Sequence, residues 1–94
     1  YLGIYGMEIN VETAEAYDMP VGIYVRGVIE GSGAQVGGIE AEDVIISVDD
    51  TRVETMTQLS DFLSKKQIGD TVKVRLVRGG RTLELDVVLT DANS

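Results

Sequence analysis

The apolar positions of the chain fall into alternating runs broken by glycine and acidic turns, with one stretch at helical spacing. Ile4 to Val11 alternates loosely and predicts a first strand, with Gly3 and Gly6 near its start. Glu12 to Tyr17 predicts a short helix that Asp18-Met19-Pro20 ends. Gly22 to Ile29 carries Ile23, Val25 and Ile29 at odd spacing plus Val28, a second strand with an irregularity at Gly27. Glu30-Gly31-Ser32-Gly33 is a turn, and Ala34 to Val36 allows only a helical turn before Gly37-Gly38 stops it. Asp43 to Val48 is the clearest buried strand, Asp49-Asp50 turns the chain, and Thr51-Arg52-Val53 can add a short strand.

The helical stretch follows. Thr55 or Thr57 can cap it, and Met56, Leu59, Phe62 and Leu63 recur three and four apart as far as about Lys66. Lys65 and Lys66 fall in its last turn, where they complement the helix dipole, and Gly69 closes it. Thr71 to Val77 then alternates Val72, Val74 and Leu76 with Lys73 and Arg75. A tight hairpin at Arg78-Gly79-Gly80-Arg81 returns the chain through Thr82 to Leu89. The sum is a small α+β fold of five or six strands and one main helix, a partly closed barrel flanked by helices. Residues 1–90 are expected to form the domain and residues 91–94 a polar tail.

Composition narrows the chemistry. The 94 residues contain neither cysteine nor histidine, which removes disulfides, thiolate sites, and the commonest general base and metal ligand together. With one Phe, four Tyr and no Trp, the core must be built from Val, Ile and Leu. The net charge is −8 and unevenly placed: residues 1–54 hold 11 acids against only Arg26 and Arg52. Such a surface repels phosphate backbones, which argues against nucleic acid as a partner. No apolar run reaches membrane-spanning length, so no membrane contact is expected, and the opening Tyr1-Leu2-Gly3-Ile4 without Met reads as a piece of something longer.

The informative residues are the first four. A glycine between two aliphatic residues, just before a strand, can present successive backbone N–H groups into one concavity that binds an anion without a charged side chain. A Cβ on Gly3 would crowd the approaching oxygens. If the strand Ile4 to Ile9 keeps one edge open, an extended peptide can pair with it, and the helix from Met56 to Lys66 would form the opposite wall.

Other candidates are weaker. Gly31-Ser32-Gly33-Ala34-Gln35-Val36-Gly37 has the outline of a dinucleotide fingerprint, yet Gly37-Gly38 breaks the helix that a parallel crossover would need. Asp49-Asp50 lacks any EF-hand spacing and reads as a solvated turn, so no metal or cofactor is expected. Five serines have no histidine to activate them, so no catalytic residue is expected.

Tyr1-Leu2-Gly3-Ile4 resembles the carboxylate-binding loop of PDZ domains attached to HtrA-type (Deg-type) bacterial serine proteases, and the resemblance runs from Tyr1 to about Leu89. Ile29-Glu30-Gly31-Ser32-Gly33-Ala34, Val36-Gly37-Gly38-Ile39 and Asp43-Val44-Ile45 are similar to the family's turn, short helix and central strand. Leu59, Leu63, Gly69-Asp70-Thr71-Val72 and Arg78-Gly79-Gly80 are similar to its closing half, in the permuted bacterial strand order. The chain departs from the family at Gly33, often Pro, at Asp50, often Gly, and at Gly6, where a side chain often lines the groove.

The resemblance implies a peptide-binding module rather than an enzyme. A ligand's terminal carboxylate would sit on the N–H groups of Leu2, Gly3 and Ile4. Its last, apolar side chain would enter a pocket of Leu2, Ile4, Leu59 and Leu63 with Phe62 near, and its strand would pair antiparallel with Ile4, Tyr5, Gly6 and Met7. Implied partners are protein C-termini or unfolded polypeptides and the protease domain of the same parent chain, a trypsin-like serine endopeptidase outside the cytoplasm. A domain that mainly supports oligomer assembly, or a PDZ domain of a different protease parent, stays open as an alternative.

Overall fold

The structure, a computed structural model, describes residues 2–90. Tyr1 of the predicted loop and the polar tail at 91–94 lie outside the described residues. Six strands and three helices follow one another as β1 (Ile4–Ile9), α1 (Val11–Tyr17), β2 (Gly22–Val28), α2 (Gly33–Gly37), β3 (Val44–Val48), β4 (Thr51–Arg52), α3 (Met56–Ser64), β5 (Thr71–Arg78) and β6 (Arg81–Val88). The sheet is antiparallel throughout, in the order β1-β2-β3-β5-β6, with β4 paired to β3.

Local chemistry explains the boundaries. β1 stops at Ile9, two residues earlier than its alternation predicts, because the Asn10 side chain accepts from the Thr13 N–H at 2.8 Å and caps α1. α3 starts behind Thr55, whose hydroxyl accepts from the Gln58 N–H at 3.1 Å while Gln58 reaches back to the Thr55 N–H, a reciprocal capping box. α3 ends at Ser64, so Lys65 and Lys66 lie past it; the Lys66 ammonium instead stands 3.4 Å from Asp49. Asp49 and Asp50 both take positive φ, 47° and 64°, in the two-residue loop between β3 and β4. The irregularity expected at Gly27 is a β-bulge beside it: Tyr5 pairs with Gly27 and Gly6 with Val25, leaving Arg26 unpaired.

The core is aliphatic. Ile23, Val25, Ile45, Val48, Val72, Val74, Leu76 and Val87 have no exposed surface and pack beneath Leu59 of α3 and Ala34 of α2. A smaller cluster of Ile9, Ala14 and Val44 lies under α1 on the other face. The residues after α2 are clamped to β5 by an ion pair between the half-buried Arg78 and the buried Asp43. Arg78 donates from Nε to Asp43 Oδ1 and from a terminal nitrogen to Oδ2, both at 2.8 Å, and also to the Gly38 carbonyl. Its other terminal nitrogen meets Glu40 at 2.8 Å. Asp43, 1% exposed, also accepts from the Glu40 N–H. The hydrogen bonds to Asp43 hold the Arg78 guanidinium above its ordinary range, against the opposing effect of burial, with the Asp43 and Glu40 charges adding to them.

α2 covers one end of the sheet. It packs so closely on β6 that a Cβ on Gly33 would overlap the Val88 carbonyl, and one on Gly37 would stand 2.9 Å from the Asp86 carbonyl. Glycine at position 33 is therefore a packing requirement. At the other end, no strand among the described residues pairs with the outer side of β1.

Candidate functional site

The loop before β1 is held by its carbonyls. The Leu2 carbonyl accepts from the Ala34 N–H at 3.0 Å, and the Gly3 carbonyl accepts from the Ile29 N–H at 2.8 Å. The Ser32 hydroxyl also reaches the Gly3 carbonyl, at 3.4 Å. No peptide bond here is cis. In a trans peptide the N–H points opposite to the C=O of the same unit. The N–H groups of Gly3 and Ile4 are therefore aimed away from α2 and β2, toward the open side of β1. With Gly3 carbonyl turned to β2, the antiparallel alternation also leaves the Ile4 C=O on that free side.

Glycine at position 3 has a reason different from the expected one. Its φ of 95° lies in the left-handed region, and a Cβ there would overlap the side chain of Ser32. The constraint comes from the body of the domain.

Beside these amides lies a hollow of about 400 Å³ between the loop and α3. Leu2, Gly3 and Ile4 form one side and Leu59 and Leu63 the other, so the structure brings these five predicted residues together. Met56, Ser60 and Ser64 of α3 complete the lining. Met56 belongs to the helical pattern of apolar residues; the two serines give no apolar signal. None of the lining residues is charged, so an anion here would depend on backbone dipoles.

Phe62 is not with the others. It borders a separate hollow with Thr51, Arg52 and Lys66, and the Lys66 ammonium stands 5.2 Å from its ring centre. A step of 100° per residue carries position 62 off the side that Leu59 and Leu63 share. Along β1 the exposures alternate, with Tyr5 and Met7 open to solvent while Ile4 and Gly6 are half-buried. Gly6 has no side chain because its place is taken: a Cβ would stand 2.9 Å from Met56 Sδ and 2.8 Å from Ile23 Cγ2.

A carbonyl-anchored loop, an unpaired strand edge and a helix facing it across an apolar hollow coincide with a sequence family. Residues 3–89 match the family model described as PDZ domain. The chain belongs to the PDZ domain family. Over 95 residues this PDZ domain is 33% identical to the periplasmic pH-dependent serine endoprotease DegQ of Escherichia coli K12, covering 99% of this chain and 21% of that protein. It is 34% identical over 89 residues to the serine protease Do-like HtrA of Bacillus subtilis 168, covering 94% of this chain and 18% of that one. The PDZ domain thus spans about a fifth of the length of these relatives. Among solved structures, the HtrA3 PDZ domain bound to a phage-derived ligand (FGRWV) superimposes with a TM-score of 0.81 at 23% identity, over 94% of this chain and 82% of that one. The fold is that of the HtrA PDZ domains, in the α+β class its alternation predicts.

Proposed function

We propose that this PDZ domain captures the free C-terminus of another polypeptide by adding it as a strand to β1. The observation that carries the reading is the pair of outward-facing amides at Gly3 and Ile4, set at the mouth of an uncharged apolar hollow and at the start of an unpaired edge. The terminal carboxylate accepts from the N–H groups of Leu2, Gly3 and Ile4. The last side chain, apolar, enters between Leu2, Ile4, Leu59 and Leu63. The chain before it pairs with Ile4 through Met7. The peptide in the HtrA3 complex supports the ligand class.

Magnitudes favour a reversible clamp. Burying one aliphatic side chain contributes about 1.5–3 kcal/mol. Hydrogen bonds to a charged carboxylate contribute about 1.5–3 kcal/mol each. Lost rigid-body freedom costs at least ~4 kcal/mol. The remainder corresponds to roughly micromolar affinity.

The naming of the relatives as serine proteases, DegQ as a periplasmic one, supports a parent of that kind working outside the cytoplasm, in which ligand capture feeds or regulates a separate catalytic domain. The test is a pair of peptides ending in Val, one with a free carboxylate and one amidated, titrated into the isotope-labelled domain. The free form should shift amides at Leu2 to Met7 and along α3, and amidation should weaken binding by about tenfold or more. Equal binding of the two forms sinks the reading. Shifts that follow protein concentration and ignore peptide would instead indicate an assembly role.

A further inference from the structure

β1 and α3 are the two walls of the groove, and one hydrogen bond joins them among the described residues. The Met56 N–H donates to Glu8 Oε1 at 2.7 Å, across 48 positions of sequence. The bond sits where α3 begins. Thr55 and Gln58 satisfy each other in the capping box, and Gln58 also accepts from the Glu54 N–H at 2.6 Å. Met56 carries the next free donor of the first turn, and its partner comes from another element. A carboxylate is also the group that a helix N-terminus favours.

Next to this bond the Met56 thioether lies against Gly6, so that a Cβ on Gly6 would be 2.9 Å from Sδ and 3.3 Å from Cε. The Glu8–Met56 bridge thereby stands at the end of the space between the walls, where α3 begins. On one side is the hollow beside the carboxylate loop, closed by Met56. On the other, ahead of α3, is a separate hollow of about 210 Å³ lined by the end of β1, the start of α1, Val21, Glu54 and Thr55. The bridge from Glu8 to Met56 is the partition.

Strand geometry gives the partition a consequence. In an antiparallel pair, residues directly opposite one another share a face. A ligand whose last residue lies beside Ile4 places the preceding ones opposite Tyr5, Gly6 and Met7, and the next opposite Glu8, where the bridge crosses. We propose that Glu8 is a positioning residue that straps α3 to β1, fixes the width of the groove and limits the ligand's footprint to its last four residues. The proposal rests on the strand-addition reading above. With the strap gone, the start of α3 is free to move off β1, Met56 to lift from Gly6, and the two hollows to merge. The groove becomes longer and less preorganised.

The experiment is a length series: free-carboxylate peptides ending in the same apolar residue, four, six and eight residues long, uncharged upstream, measured by calorimetry. For the unaltered domain, lengthening from four to eight residues should change Kd by less than about twofold. Glu8→Ala should weaken the four-residue peptide by about fivefold, and the eight-residue peptide should recover most of that loss. Two conservative variants separate reach from charge without emptying the site. Glu8→Gln keeps an acceptor at the same reach and should follow the unaltered domain; Glu8→Asp keeps the charge, falls short, and should follow Glu8→Ala. The strap is overturned if the unaltered domain gains about tenfold from the added residues, or if Asp preserves the length profile and Gln abolishes it. The amidated four-residue peptide is run alongside: if it binds as well as the free form, strand addition itself has failed, whatever the Glu8 variants do.

Discussion

At one end of the sheet β6 lies under α2, with Gly33 and Gly37 set against the carbonyls of Val88 and Asp86; at the other end β1 offers its outer N–H and C=O groups to solvent. Both are edge strands, and both carry the same hazard of pairing with a foreign chain. A helix of five residues is enough to cover one of them. The chain has the device and does not use it at β1. What β1 has instead is short length, a neighbour β2 whose bulge at Arg26 increases the local twist, and a facing wall in α3. An edge left open beside a wall is restricted to an occupant that fits between the two, and in the proposed function that restriction turns a liability into recognition.

The largest way to break this contrast is through Asp43. Asp43→Ala removes the acceptor of two Arg78 bonds and one backbone bond, and frees the segment that follows α2. Breaking one partner of a buried ion pair costs about 3–5 kcal/mol, and the low end applies because the Arg78 side chain keeps 34% of its surface exposed. In thermal unfolding each kcal/mol lowers Tm by roughly 4–8 °C in a domain of this size. Hydrogen exchange at the β6 amides should quicken more than at β1. An unchanged β6 profile would mean that the clamp does not hold the cover in place.

Gly33→Val attacks the cover directly. The new side chain overlaps the Val88 carbonyl, so α2 must shift, at a cost of about 1–3 kcal/mol in unfolding free energy measured with urea. The shift uncovers β6, and concentration-dependent association should appear in sedimentation. A variant that is as stable and as monomeric as the parent would show that the close approach of α2 is not what protects that edge.

Gly3→Ala tests the open edge. A residue with a Cβ at a φ of 95° costs about 1–2 kcal/mol, and contact with Ser32 adds to it. The loop should relax toward negative φ, turning the amides of Gly3 and Ile4 out of line. Peptide affinity should fall by about tenfold or more while β6 exchange stays as it was. Retained affinity would mean that the nest is not formed by these amides.

How far these features could be read in advance differs with their range. Strands such as Thr71 to Val77 declare themselves because Val72, Val74 and Leu76 alternate with Lys73 and Arg75, and a caps-and-period argument finds α3 from Thr55 onward. The loop at Leu2-Gly3-Ile4 is local in the chain, so its glycine pointed to it. Contacts between distant residues left no such trace. Asp43 reads as an ordinary acid ahead of an apolar run, and nothing local pairs it with Arg78, 35 positions away. Glu8 and Met56 are 48 apart and satisfy each other only after β1 and α3 have packed. For the same reason the helical period assembled Leu59, Phe62 and Leu63 as one apolar set, although only the packing of α3 decides that Leu59 and Leu63 meet the loop while Phe62 meets Lys66.

The smallest expected effect separates stability from recognition altogether. Glu84 on β6 lies opposite Arg75 on β5 and accepts from it at 2.7 Å, with Lys73 at 3.9 Å. That hydrogen bond, and then the Arg75 charge, hold the Glu84 carboxyl below the ordinary carboxylate range. A folded-state value below the unfolded one means that the stabilisation is present above the unfolded value and is lost as pH falls through the folded one. Glu84→Gln should therefore lower the urea midpoint slightly at neutral pH and leave a shallower decline between neutral and about pH 3 than the unaltered domain shows. Both partners face solvent, so high salt should erase most of the difference. Peptide affinity should not change at any of these pH values, because the pair spans β5 and β6, the two strands farthest along the sheet order from β1. A shift in peptide affinity on losing Glu84 would mean that the two ends of the sheet communicate, and that the open edge is tuned from the covered one.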